Sequence, residues 1–332
     1  MVERGSRCRR RVRRGPPVTL RPDSSVPVRA ATWSTGPLHL DWSRVERTRY
    51  RIHQRITYRY EGPVESLEQR LVVQPRSLHG DQRRVSRRLS VLNATPESVE
   101  ASVDLFGNTV VTLNIPRVEE EVTFVTSSIV ERDAQHGPHI EPAAMLQDRN
   151  LLDATPLTCA DQTIDLLAEE LTASGLTGAA LATAANDCVH NALIYQHGAT
   201  SVRTTAAEAL ARGAGVCQDY AHVLLALTRR LGLPSRYISG QMLGFGGSHA
   251  WVEVMIPDPS GHARVLSLDP THGRATGYEY ITVAVGRDYA DVTPLSGTYQ
   301  APFAGSLTAT KRVFMTALGP GDCTDSDIQA IA

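Results

Sequence analysis

The stretch "GAGVCQDYAH", Gly213 to His222, sets a cysteine between a glycine-bearing turn and the first turn of an apolar helix. "VLLALTRRLGLP" continues it, with arginines in the last turn, Gly232 just past the helix end and Pro234 beyond. Upstream, "TTAAEAL" offers Thr205 as an N-cap with Glu208 three residues on, a capping box for a short helix ending near Gly213. Cys217 therefore opens a well-delimited helix. A helix start presents unpaired N–H groups and a partial positive charge, which favour a thiolate over a thiol.

A nucleophilic thiolate needs a base to handle its proton, usually a histidine, and the histidine needs a third group to fix its tautomer. Downstream, "GGSHAWVEVMIPDPSGHARVLSLDPTHG" reads as two strands, "HAWVEVMI" and "RVLSLD", joined by a Pro-Ser-Gly turn. With the hairpin centred near Pro259, His249 and Asp269 each lie ten residues from the centre and face one another across the ladder. A one-residue slip would turn one of them to the wrong face. Trp251 shares the face of His249, either shielding the pair from water or walling an acyl pocket. Tyr195 and Trp251 are candidate oxyanion donors, beside the backbone N–H of Cys217.

The rest of the chain divides by periodicity. In "RYRIHQRITYRYEG", Tyr50, Ile52, Ile56, Tyr58 and Tyr60 fall on alternate positions with arginines between, the period of a half-buried strand. "EQRLVVQPR", "RRLSVLN" and "EVTFVTSSIVE" add strands, and Gly107-Asn108 in "VDLFGNTVVTLNI" marks a hairpin. The long arginines serve to cover an exposed sheet face. After the connection "DAQHGPHIEPAAM" the pattern turns helical, in "DQTIDLLAEELTASG" and "TGAALATAANDCVHNALIYQ".

The blocks "GVCQDYAHVLLALTRRLGLPSRY", "SHAWVEV" and "LDPTHG" resemble the three blocks of the transglutaminase-like superfamily, whose core is related to papain-type cysteine proteases. "YRIHQRITYRYEGPV", "VQPR" and "DLFGN" are similar to the β-domain preceding that core in bacterial members, and "VAVGRDYADVTPLSGTY" to their C-terminal block. The resemblance spans roughly residues 47 to 300. It implies Cys217 as nucleophile, His249 as general base and acid, and Asp269 as its orienting partner. His272 stands where the familiar block has Asn.

The expected fold is α+β: an N-terminal antiparallel β-domain (46–135), then a papain/transglutaminase-like core of helices on an antiparallel sheet (136–305). Residues 1–45, with seven arginines in the first fourteen, read as a disordered leader or an over-extended start rather than a nucleic-acid arm. Residues 306–332 read as a C-terminal tail. The expected reaction is acyl transfer on a peptide or carboxamide through a thioester, hydrolytic in preference to cross-linking. A binding module that holds a peptide without cutting it is the rival.

Several features bound these readings. The net charge of -1 gives no pull toward nucleic acid or membrane, and no apolar run is long enough to span a bilayer. Five scattered cysteines without a CxxC pair suggest neither zinc nor disulfides, so reduced thiols and a cytoplasmic setting are expected. Cys188-Val189-His190 is half a metal site without a second half. No metal or organic cofactor is expected. The expected partner is a peptide or protein substrate, and the resemblance adds a possible association with ATP-grasp-like peptide-forming proteins. Asp219 reads as a first-turn helix charge, and His222 as a packing or hydrogen-bonding residue.

Overall fold

The computed structural model describes residues 45–244 and 247–319; the arginine-rich leader expected before residue 46 lies outside that range but for Val45. The alternation that predicts the first strand is realised in β1 (Arg47–Arg59), whose burial alternates almost residue by residue. Tyr50, Ile52, Ile56, Tyr58 and Tyr60 all face inward, while the arginines between them stay in water. After it come β2 (Val64–Gln74), β3 (Gln82–Leu92), β4 (Ser98–Val103), β5 (Thr109–Val118) and β6 (Glu121–Asp133). The β4–β5 hairpin turns at Gly107 (φ 79°), with Asp104 accepting the N–H groups of Phe106 and Asn108.

Four longer helices follow: α1 (Gln162–Ala173), α2 (Gly178–Ala192), α3 (Ala206–Arg212) and α4 (Cys217–Arg230). Both halves of the Thr205–Glu208 capping box form, and Gly213 closes α3 in the left-handed conformation (φ 64°). Gly232, also left-handed (φ 72°), follows Leu231, the C-cap of α4. From Gln218 to Arg229 every residue of α4 is buried, so this helix is the axis of the core. Its last turn is held by Arg229, which donates to the carbonyls of Leu151, Ser235 and Arg287 and to Thr158.

The core sheet is built from β7 (Ser235–Met242), β8 (Ser248–Pro257), β9 (Ala263–Asp269) and β10 (Tyr280–Gly286), in the order β9-β8-β7-β10. One face carries Ala250, Val252, Val254 and Ile256 against α4. The edge strand β10 is capped by the β-domain through two side-chain amides. Gln82 exchanges two hydrogen bonds with the backbone of Thr282, and Asn108 does the same with Val285. A buried ionic network adds a second tie: Glu253 on β8 takes His79 at 2.7 Å and Arg236 at 2.7 Å, and Arg236 also reaches Glu141.

The C-terminal boundaries expected from the sequence are corrected. Residues 306–319 are not a tail. They form β12 (Ser306–Gly319), a long strand paired along β1 in the sheet β12-β1-β6-β3. Just before it, β11 (Leu295–Gln300) pairs with β2 in the second sheet, β11-β2-β5-β4. The chain therefore leaves the core near residue 294 and returns to the first domain. The physical reason is burial: "TATKRVFMTA" carries the two-residue period, and Val313 and Met315 pack with Tyr50, Ile52 and Val130.

Candidate active site

Cys217 is placed by the loop before it. Tyr195 and Ile194 pair in parallel with Gly215 and Ala214, which holds the approach to the helix against residues 194–196. Asp219 accepts the Val216 N–H at 2.7 Å and the Thr200 hydroxyl at 2.6 Å, so it ties down the first turn as a structural carboxylate. Gly215 leaves room for that carboxylate, since a Cβ there would sit 2.6 Å from the Asp219 side chain. Only backbone without a side chain passes at this point.

The Cys217 thiol is half-buried at the start of α4, packed against the helical core, and the backbone N–H groups of Ala250 and Gln218 favour its charged form. Its ionisation differs from the expectation raised by the helix start. Burial pushes the Cys217 thiol up, the Ala250 N–H pulls it down, and the nearby Asp269 charge pushes it up again, to about 12. Desolvation outweighs the helix terminus here. Burial thus works against the thiolate that the helix start favours, so a proton acceptor has a part to play.

His249 and Asp269 meet as expected, with Nε2 2.7 Å from Oδ2 and both side chains fully buried. Their route to contact differs from the expected one. Pro259-Ser260-Gly261 is a three-residue turn closed by Asp258 and His262, with Gly261 left-handed (φ 82°). The hairpin is thus centred on Ser260, as the pairs Pro257–Ala263 and Val252–Leu268 show. A one-residue change of centre moves the register by two, which preserves the face and converts a direct pair into a diagonal one.

Asp269 Oδ2 also accepts His272 Nδ1 and the Tyr280 hydroxyl, each at 2.7 Å, while Oδ1 accepts the N–H of Thr271. Burial works to raise this carboxyl, but the hydrogen bonds from His249, His272 and Tyr280 outweigh it and hold it well below the usual range. The departure at His272 thus supplies a second imidazole to the same oxygen. Tyr280 carries no local signal of this role in the sequence, because its tie to Asp269 is made only once the sheet assembles.

Trp251 shares the histidine's face as expected, its ring 6.2 Å from that of His249. It is 1% exposed and packs with Ile238, Tyr280 and Val285 around the imidazole. Of the two roles considered for it, shielding fits this position. Gly240 exists to admit it, because a Cβ there would come within 2.2 Å of the indole. Tyr195 is half-buried, and burial followed by the Cys217 charge raises its phenol to about 12, which keeps it a hydrogen-bond donor.

The residues set aside stay apart from this centre. His222 accepts the Tyr289 N–H at 3.2 Å, which gives "GRDYADV" a structural tie to α4. Cys188 packs against the helical core and Cys159 is exposed. Among the described residues the groups with metal-ligand spacing are His79, His139 and Glu253, and His249, Asp269 and His272, neither of which includes Cys188 or His190. His79 is already committed, with Arg76 on Nδ1 and Glu253 on Nε2.

Residues 165–265 match the transglutaminase-like superfamily, and residues 50–131 the bacterial transglutaminase-like N-terminal region. An uncharacterized protein of Mycobacterium tuberculosis is 31% identical over 279 residues, covering 75% of this chain and 87% of that one. One from Mycobacterium leprae is 28% identical over 287 residues, covering 78% and 96%. Among solved structures, "a Putative Cysteine Protease" from Cytophaga hutchinsonii superposes with a TM-score of 0.64 at 23% identity, over 84% of this chain and 93% of that one. With the helix-borne cysteine, the buried His–Asp pair and the preceding β-domain, these matches make the chain a member of the transglutaminase-like superfamily.

Proposed function

We propose that the protein is a cysteine-dependent enzyme of acyl transfer, acting on a peptide or carboxamide through a thioester on Cys217. The observation that carries this is the buried His249–Asp269 pair at 2.7 Å, in a chain whose Cys217 opens the core helix α4. With Nε2–H donating to the carboxylate, Nδ1 is the ring's acceptor, the tautomer that can take the thiol proton. Sγ then attacks the carbonyl carbon, and the imidazolium returns the proton to the departing amine. Water, activated by the same imidazole, cleaves the thioester and regenerates the thiol.

Two donors serve the oxyanion. The N–H of Cys217 is a first-turn helix donor with no intrahelical acceptor, and the Tyr195 phenol stays protonated beside it. Trp251 is not assigned this task, because its indole is buried with Ile238, Tyr280 and Val285. Water is the preferred acceptor: Gln196 and His197, which follow Tyr195, and Ser248, which precedes His249, are all exposed to it. Transfer to an amine uses the same residues and is the alternative outcome of the test.

The test is a mass shift on the Cys217 peptide after brief incubation with a library of peptide amides, followed by chase in ¹⁸O water or in a primary amine. An acyl adduct on Cys217 that decays with ¹⁸O in the released acid supports the hydrolase. Amide formation with the added amine supports transfer instead. No adduct at Cys217 alongside product formation would sink both.

A further inference from the structure

Lys311 is the single lysine of the chain, and every other basic side chain apart from the histidines is arginine. It lies on β12 opposite Gln54 of β1. Strand alternation sends its side chain to the inward side with Val313 and Met315, while Arg312 and Phe314 face out. There its Nζ lies 2.9 Å from Ser248 Oγ. Ser248 is the first residue of β8, immediately before His249.

This ammonium is half-buried, and among the described residues no carboxylate forms an ion pair with it. Burial alone acts on it and lowers it to about 8, with no acidic neighbour pulling the other way. Withdrawing a charge from water is costly unless an opposite charge meets it. The β-domain nonetheless delivers this one cation to the residue that precedes His249 on β8, on a long flexible stem whose point charge suits a carboxylate. Ser248 holds it there.

We propose that Lys311 forms a carboxylate-binding subsite beside Cys217 and His249, so that the favoured amide substrates carry a carboxylate within a few bonds of the scissile carbonyl. This rests on the acyl-transfer reading. A carboxylate seated on Nζ, with Ser248 Oγ as a second donor, makes a charge-assisted pair. It also fixes the acyl portion relative to the thiol before attack. An acidic side chain and a chain-terminal carboxylate share this chemistry.

The experiment compares alkylation of Cys217 by iodoacetate and by iodoacetamide, followed on the Cys217 peptide by mass spectrometry, with exposed Cys159 as the reference thiol in the same sample. The iodoacetate-to-iodoacetamide rate ratio at Cys217 should exceed that at Cys159. Lys311→Met should lower it by about fivefold or more at low salt, and Lys311→Arg should restore most of it. N-iodoacetylglycine and the α-amide of N-iodoacetylaspartate then tell the two sources apart. The reagent that loses more rate in Lys311→Met names a terminal or a side-chain carboxylate. An unchanged ratio in Lys311→Met, with only the melting temperature lowered, would make Lys311 a tether between the domains and overturn the subsite alone. A Cys217 inert to iodoacetamide would overturn the acyl-transfer reading and the subsite with it.

Discussion

Asp269 reaches His249 on the diagonal, at 2.7 Å, because the last ladder pair between their strands, Val252 with Leu268, sets Asp269 level with Trp251 instead. The indole thus fills the position directly across from the carboxylate and closes the back of the His249–Asp269 pair. Orientation and desolvation of the histidine come from one hairpin register.

Asp269→Asn keeps the size of the side chain and removes its charge. Turnover and neutral-pH alkylation of Cys217 should fall by roughly 10²–10⁴-fold, as for other orienting carboxylates, with little change in melting temperature. Asp258→Asn and Asp288→Asn should leave the alkylation rate unchanged, since those carboxylates cap the Ser260 and Ala290 turns. Normal rates in Asp269→Asn with a loss in either of the others would refute the pairing.

Tyr280→Phe removes one of three donors from Asp269 Oδ2. A buried hydrogen bond to a charged group is worth about 1.5–3 kcal/mol, so alkylation of Cys217 should slow by about tenfold or more. His272→Asn retains a short donor at the same place and should cost less than Tyr280→Phe. The reverse order would mean that the second imidazole, and not the phenol, governs the carboxylate.

Ending the chain at residue 305 should unfold the β-domain rather than trim it. The cut removes a strand paired with β1 from Arg47 to Arg59 and uncovers Tyr50 and Ile52. Burial of Val313 and Met315 alone is worth about 1.5–3 kcal/mol each. A truncated protein with an unchanged melting temperature would contradict the topology.

Acid should destabilise the fold well above the carboxylate range. Burial is the main cause lowering His79, to about 4, and His222, to about 3, from 6.5. The unfolded chain takes up protons below about 6.5 while the folded chain does not, so stability falls as pH drops from there toward 4. His79→Gln should flatten that slope in urea titrations run between pH 7 and 4.5. A flat wild-type profile over that window would rule out buried neutral histidines.

The sequence discloses the site through local signals. Capping residues and Gly232 delimit α4, and the alternation either side of "PDPSG" puts His249 and Asp269 on one face. A turn centre wrong by one residue still preserves that face, which is why the pairing survives the register correction. Other features depend on contacts distant in the chain. Lys311 reaches Ser248, and Tyr280 reaches Asp269, only after sheets have assembled. The charge state of Cys217 is of the same kind, because a helix start predicts a thiolate and only tertiary packing reveals the desolvation that opposes it. The strand in residues 306–319 carries a readable period, but its place beside β1 is a long-range pairing.

The central claim is that Cys217 is a half-buried thiol made nucleophilic by His249. Iodoacetamide alkylation of the Cys217 peptide at pH 7, in wild type and in His249→Ala, tests it most directly. Left without its base, a thiol whose ionisation burial opposes stays protonated at that pH. Wild-type Cys217 should therefore be alkylated rapidly, and the variant slower by about 10²-fold or more at equal fold integrity. Equal rates in the two proteins, whether both fast or both slow, would contradict the account.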